Sequence, residues 1–202
     1  MRFQKILVFV SLVVAALCLV HAWVFCSGLF AQLTRYKDVA GNGFDVDKAN
    51  EIYNLTQNFS NLFQILSIVF ILAAVLMLVM GCHSRRKYYI TNYIAVGIFV
   101  AFALVFAILL IINLASISTA LANFELKEFG EYYNSLHIES SWGKFTDKSW
   151  TLAVGYALFA IVLVTAIVNV LNVVWKVMLM KGEKKLLSQA NPETVETVQE
   201  AV

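Results

Sequence analysis

Four long stretches without a charged side chain constrain this fold more than any other feature of the sequence. A helix needs about 20 apolar residues to cross roughly 30 Å of hydrocarbon. The stretches contain 29, 33, 37 and 27 residues, between Lys5 and Arg35, Glu51 and Arg85, Lys87 and Glu125, and Lys148 and Lys176. Each stretch is therefore long enough for one crossing and too short for two.

The four stretches predict an all-α integral membrane protein, a four-transmembrane-helix bundle built from two hairpins. Helices are required because lipid offers the backbone amides no hydrogen-bond partner, and the short alternating segments of a barrel are missing. The predicted crossings are 6–26, 62–81, 94–114 and 151–172. Two outer loops, 27–61 and 115–150, and one inner loop, 82–93, connect them. Residues 1–180 thus form one domain, followed by a mobile cytoplasmic tail over 181–202.

The overall composition agrees with this class of protein. Hydrophobic residues make up 60% of the chain and charged residues 14%, against about 25% charged in typical soluble proteins. Such a chain is neither disordered nor an ordinary soluble enzyme. The three cysteines all lie outside the predicted outer loops, which argues against a disulfide-stabilised secreted domain.

The placement of lysine and arginine predicts that both termini are cytoplasmic. With this orientation the inner segments hold nine Lys and Arg residues and four acidic residues, whereas the outer loops hold six and nine. Cytoplasmic loops are enriched in basic residues, and the cluster Arg85-Arg86-Lys87 lies in the short inner loop. We therefore predict a multi-pass protein of the cell membrane with both termini inside.

The two outer loops are predicted to be partly helical. Nothing breaks a helix between Asp47 and Asn61, so the second helix can begin outside the membrane. In the second loop, apolar residues recur at helical spacing: Ala122, Leu126, Phe129, Tyr133 and Leu136. This stripe predicts that helix 3 extends outward and lays the stripe on the bundle or the headgroups. Ordinary loop packing explains it equally well.

Small residues form a seam on one face of helix 1, and this is the clearest packing signal in the chain. Close approach at small residues drives much of helix association in lipid. The seam consists of Ser11, Ala15, Cys18, Ala22 and Cys26. It predicts either internal packing, which is the simpler interpretation, or an interface for a partner subunit. Similar pairs occur on helices 3 and 4: Gly97/Ala101, Ala103/Ala107 and Ala153/Ala157.

Polar residues in the predicted crossings fall into two groups near opposite ends. The outer group is His21, Gln64 and Asn113, and the inner stripe is Thr165, Asn169 and Asn172. His21 either reaches the outer interface or contacts a ligand, and the asparagines either bond a neighbouring helix or a substrate. Between the groups the crossings are almost wholly apolar and contain no charge. Since charges inside a membrane usually mark ion paths, this argues against a proton-coupled transporter and a pore within one chain.

Two sets of residues are candidates for covalent modification. Cys82 stands beside the basic inner loop, which suits palmitoylation, although a buried apolar cysteine is the simpler interpretation. Asn54 and Asn58 begin the sequons Asn54-Leu55-Thr56 and Asn58-Phe59-Ser60 on the predicted outside. They are therefore candidate glycosylation sites.

The sequence contains no pattern typical of an enzyme or a cofactor site. No His, Cys, Asp and Glu spacing fits a zinc site, and the common nucleotide-binding, hydrolase and metalloprotease motifs are missing. The layout resembles the broad tetraspan arrangement. However, tetraspanins, claudins and connexins carry cysteines in their outer loops, and this chain has none there. We expect no catalytic residues, no metal and no cofactor.

These observations favour a non-enzymatic membrane protein that acts through contacts. We predict an accessory, scaffold or assembly subunit that uses helix packing and its outer loops. Its expected partners are the lipid bilayer and a membrane protein or a second copy of itself, with no nucleic acid and no soluble substrate. The alternative is a small channel or transporter whose pathway forms in an oligomer and opens near His21, Gln64 and Asn113.

Overall fold

The computed structural model describes residues 2–28, 46–83, 90–135 and 149–190, and all regular structure within these ranges is helical. The helices are α1 (Arg2–Gly28), α2 (Val46–His83), α3 (Ile90–Ala122), α4 (Leu126–Ser135) and α5 (Trp150–Ala190). Helices α1, α2, α3 and α5 are each long and apolar enough to cross a membrane. This confirms the predicted all-helical architecture with four candidate spanning helices. The side of the membrane on which each end lies stays a prediction.

The four long helices form an up-and-down bundle. Helix α1 packs against α2 and α5, and α3 packs against the same two helices. Consecutive long helices are therefore neighbours, and the first and last helices close the ring, as in a four-helix bundle with two hairpins.

All four long helices exceed the length of a membrane crossing, three of them by a wide margin. Helices α2, α3 and α5 contain 38, 33 and 41 residues, or roughly 57, 50 and 60 Å at 1.5 Å per residue. Helix α2 includes residues 46–61, which the sequence assigned to the first outer loop. Helix α5 continues to Ala190 and so includes the beginning of the predicted tail.

The apolar stripe predicted to continue helix 3 does not lie on one continuous helix. The chain leaves helical geometry at residues 123–125, where the Phe124 amide donates to the Leu121 carbonyl. Helix α4 then begins at Leu126. Phe129 is fully buried and its ring packs 5.7 Å from that of Phe124, whereas Ala122 is exposed. The side chain of Tyr133 and all of Leu136 lie outside the described residues.

A column of phenylalanine rings fills the centre of the bundle. Its members are Phe25 of α1, Phe59, Phe63 and Phe70 of α2, and Phe99 and Phe106 of α3. Successive ring centroids along the column are 4.4 to 5.3 Å apart, a spacing typical of favourable aromatic contacts. All six side chains are buried. The column runs from the predicted outer end, at Phe25, towards the predicted inner end, at Phe99.

The outward surface of the bundle is apolar as well. Large hydrophobic side chains are more than half exposed on every long helix, for example Phe9, Ile65, Ile108 and Val164. Apolar surfaces of this extent are found where a protein contacts a membrane or another protein. The surface and the helix lengths together indicate a multi-pass membrane protein.

Candidate functional site

Polar contacts join α1 to α5 at three heights. Three residue pairs make these contacts: Gln4 with Lys176, Ser11 with Asn169, and His21 with Thr151. Residue numbers rise along α1 while they fall along α5, so the two helices are antiparallel. Along α1 the contacts are spaced by seven and ten residues, or about 10 and 15 Å. The contacts therefore run along most of the interface that closes the ring of helices.

The middle contact joins two features that the sequence identified separately. Asn169 of the inner stripe donates from Nδ2 to Ser11 Oγ of the helix 1 seam, at 3.1 Å. The Ser11 hydroxyl donates in turn to the Leu7 carbonyl, and Asn169 Nδ2 also reaches the Thr165 carbonyl. Both side chains are at most 1% exposed. A buried amide and hydroxyl would be costly without these partners, so the bond favours one register of α5 against α1.

The remaining members of the inner stripe face the same interior. Thr165 and Asn172 are both buried, and the Thr165 hydroxyl donates to the Ile161 carbonyl of its own helix. The polar stripe therefore lies inside the bundle, and its described hydrogen bonds are made within the chain.

His21 makes the contact nearest the predicted outer end. Its Nε2 lies 3.0 Å from the Thr151 carbonyl, and because a carbonyl can only accept, this nitrogen carries the donated proton. The rings of Phe25 and Phe59 pack beside it, and His21 is buried. The side chain is thus held between α1, α2 and α5.

Gly155 allows α5 to approach this histidine. A Cβ atom at this position would lie 2.9 Å from a Leu114 methyl carbon and 3.2 Å from His21 Cε1. Any larger residue would have to displace one of these two buried side chains. The glycine therefore contributes space to the helix contact.

The outer polar group does not form one network. Gln64 donates to Ser60 Oγ at 2.9 Å, and Ser60 in turn contacts the Ala22 carbonyl of α1. Asn113 donates to Leu109 of its own helix. His21, Gln64 and Asn113 thus use three different partners. The partner of His21 is on another helix, whereas those of Gln64 and Asn113 are on their own helices.

The helix 1 seam packs inside this chain. Ser11, Ala15, Cys18 and Ala22 are all buried within the bundle, while the side chain of Cys26 lies outside the described residues. The same small residues that suggested a partner interface are thus covered by α2 and α5.

The candidate modification sites remain predictions. Asn54 and Asn58 are exposed on α2, whereas the sequon residues Thr56 and Ser60 are buried. Cys82 is in the last turn of α2, and its side chain lies outside the described residues. Within the part of the chain that the structure describes, no group of three or more His, Cys, Asp or Glu residues could hold a metal ion.

An open cleft of about 580 Å³ lies between the extensions of α2 and α3 at the predicted outer end. Lys48 and Glu51 line it on the α2 side, and Ser116, Thr119 and Asn123 line it on the α3 side. The Ser116 and Thr119 hydroxyls donate to carbonyls of their own helix. Leu55, Ala115 and Ala120 complete the lining, so the cleft is an open surface feature of mixed polarity without the enclosure of a typical small-molecule site.

Several residues of these contacts were not identified from the sequence. Thr151 gives no local signal because it uses its backbone carbonyl, 130 positions from His21. Gly155 could have been singled out, since an isolated glycine within an apolar helix often marks a close approach. The phenylalanine column had a spacing signal, because Phe59, Phe63 and Phe70 recur four and seven residues apart.

The fold and its buried contacts support a polytopic, all-helical membrane protein whose first and last helices are joined by hydrogen bonds. Comparisons with protein-family models, with curated proteins and with solved structures give no match.

The middle contact can be measured with a double-mutant cycle of Ser11→Ala and Asn169→Leu. We expect a coupling free energy of about 0.6–1.7 kcal/mol, as for interhelical hydrogen bonds in other membrane proteins. Reversible unfolding in mixed micelles measures it. The control is a cycle of Ser11→Ala with Ser116→Ala, because the Ser116 hydroxyl bonds within α3. The two losses of stability should add in this cycle. If the losses of stability from Ser11→Ala and Asn169→Leu also add, the hydrogen bond between these two residues does not couple α1 to α5.

Proposed function

We propose that this chain is a non-enzymatic accessory, scaffold or assembly subunit of a membrane complex. The observation that carries the proposal is the closed interior. The phenylalanine column fills the centre, and the described hydrogen bonds of Ser11, His21 and Asn169 are made within the chain. Interior side chains that hold the bundle together leave interaction to its outer surface.

The partner is expected to bind a surface other than the helix 1 seam. Gly97 and Ala101 are exposed, one turn apart on α3, and a Cβ added at Gly97 would have no atom within 4 Å. Small residues at this spacing let a second helix come close. The pair therefore offers a place for a partner helix on the lipid-facing side of the bundle.

The extensions at the predicted outer end give a second, polar surface. Helix α4 exposes Lys127, Glu128 and Glu131, and the α2–α3 cleft adds Lys48 and Glu51. The Lys127–Glu131 pair is 4.0 Å apart and largely solvated, so it contributes little to stability. Such charges are better suited to contact a partner's polar surface outside the bilayer.

Purification from the native membrane in a gentle detergent tests the proposal. We expect a membrane protein to co-purify in a fixed ratio, and a Gly97→Leu/Ala101→Leu variant to retain at most about a tenth of it, since overpacking of a close contact costs about 1–3 kcal/mol. Ile94→Leu/Ile98→Leu, also on exposed α3 positions, is the matched control and should retain it.

Two outcomes would contradict this function. The first is purification of the wild-type chain without any membrane protein in a fixed ratio; a folded variant that retains the full amount of partner would instead place the interface away from Gly97 and Ala101. The second is solute flux through liposomes containing only this chain, lost on Asn113→Leu. That result would favour the alternative, a channel or transporter that forms in an oligomer.

A further inference from the structure

One face of α5 changes from apolar residues to lysines as the helix leaves the bundle. Ile167, Val170, Val174 and Met178 are exposed at steps of three and four residues along this face. The next residues at the same spacing are Lys181 and Lys185, and both are exposed. The lysines therefore continue the row of side chains that faces lipid in the preceding turns of α5.

The opposite face of α5 ends differently. There the buried row Val162, Thr165, Asn169 and Asn172 leads at helical spacing to Lys176, which donates to Gln4 of α1. The helix thus uses one lysine for the bundle and carries the others beyond it. Lys184, also exposed, lies beside Lys181 and Lys185.

The spacing along α5 indicates that the lysines lie at the height of lipid headgroups. Trp175 is exposed, and tryptophan is typical of a membrane interface. Lys181 follows Trp175 by six residues, or about 9 Å. The headgroup region adds roughly 5–8 Å beyond the hydrocarbon on each side, and a lysine's long flexible stem can reach back towards it. Glu183 is the single acidic residue between Trp175 and Ala190, so the segment is strongly basic.

We propose that Lys181, Lys184 and Lys185 bind the headgroups of anionic phospholipids that surround α5. Charge complementarity carries the proposal, because a basic segment directly after a membrane crossing attracts anionic lipid. The lipid face that ends in these lysines places the phosphates of neighbouring lipids next to them. The surface is distinct from Gly97 and Ala101 and does not depend on the proposed partner.

Trp175 provides the means to measure this binding. A full-length variant with Trp23, Trp142 and Trp150 replaced by phenylalanine retains Trp175 as its fluorophore. It is reconstituted into bilayers in which either an anionic or a zwitterionic phospholipid is brominated, and quenching of Trp175 reports which lipid lies beside it. We expect the anionic lipid to be preferred by roughly three- to tenfold at low salt, and less at 0.5 M salt because of screening.

A triple variant should reduce the preference for the anionic lipid to below about twofold. Its changes are Lys181→Gln, Lys184→Gln and Lys185→Gln. Lys48→Gln/Lys127→Gln, two exposed lysines elsewhere in the chain, is the control and should keep it. Native mass spectrometry of the chain with all four tryptophans should show the same loss of retained anionic lipid. An unchanged preference in the triple variant would overturn the proposal. A second result would also overturn it: no preference for anionic lipid, together with a dimer of the chain that the Leu186→Ala/Leu187→Ala variant does not form. The segment would then be a contact between copies of the chain.

Discussion

Phe70→Ala is expected to destabilise the bundle by about 3 kcal/mol, the range seen when a buried phenylalanine is truncated. The ring stacks on Phe99 at 5.0 Å and on Phe106 at 5.3 Å, and its side chain is 1% exposed. Truncation leaves a cavity within the column, where neither lipid nor water replaces the lost contacts. Reversible unfolding in mixed micelles, followed by circular dichroism, measures the loss.

Phe102→Ala is the matched control for this experiment. Phe102 is on α3 between Phe99 and Phe106, but it is 39% exposed on the outer face. Lipid can fill the space that its ring leaves, so we expect a loss below about 1 kcal/mol. Equal losses for the two variants would show that the column does not contribute more to stability than lipid-facing rings do.

Gly155→Leu is expected to have the second large effect. The new side chain would collide with Leu114 and His21, since its Cβ alone lies within 3.2 Å of both. Overpacking of this kind costs about 1–3 kcal/mol, and displacement of His21 would add the loss of its bond to the Thr151 carbonyl. We therefore expect a total loss of about 2–4 kcal/mol, with a shifted NMR signal of the His21 ring.

The control for this variant is Gly97→Leu. A Cβ at Gly97 meets no atom within 4 Å, and leucine has the higher helix propensity by up to about 1 kcal/mol. The change should leave the stability of the isolated chain equal or raised. A Gly155→Leu variant as stable as wild type, with an unchanged His21 signal, would show that α5 does not need the glycine to approach α1 and α3.

Contacts made by polar and small residues were more predictable from the sequence than contacts made by large apolar residues. A large apolar residue in this chain does not indicate whether its side chain faces the interior or the lipid, because a lipid-facing helix surface is as hydrophobic as a buried one. Phe102 and Phe106 therefore look alike in the sequence, although one is exposed and the other is buried. Polar and small residues carry more information, and Ser11, Ala15 and Asn169 were singled out for that reason.

The partner of each polar residue was beyond sequence reasoning. The sequence indicated that Asn169 bonds either a neighbouring helix or a substrate, but Ser11 is 158 positions away and nothing local relates the two. Gln64 and Asn113 were grouped with His21 because they lie at a similar depth. A similar depth in the membrane does not show which neighbouring helix a side chain faces. In the structure Gln64 and Asn113 each have a different partner.

By itself, the sequence determined that four long helices are apolar enough to cross a membrane. Charges are too costly to place in hydrocarbon, so their positions divide the chain into crossings and connections. The tertiary structure decided which faces are buried, which helices are neighbours and which polar groups meet. Those properties depend on the rotation of each helix about its axis, and in lipid that rotation is set by close contacts such as those at Gly155 and Phe70, which hydrophobicity does not reveal.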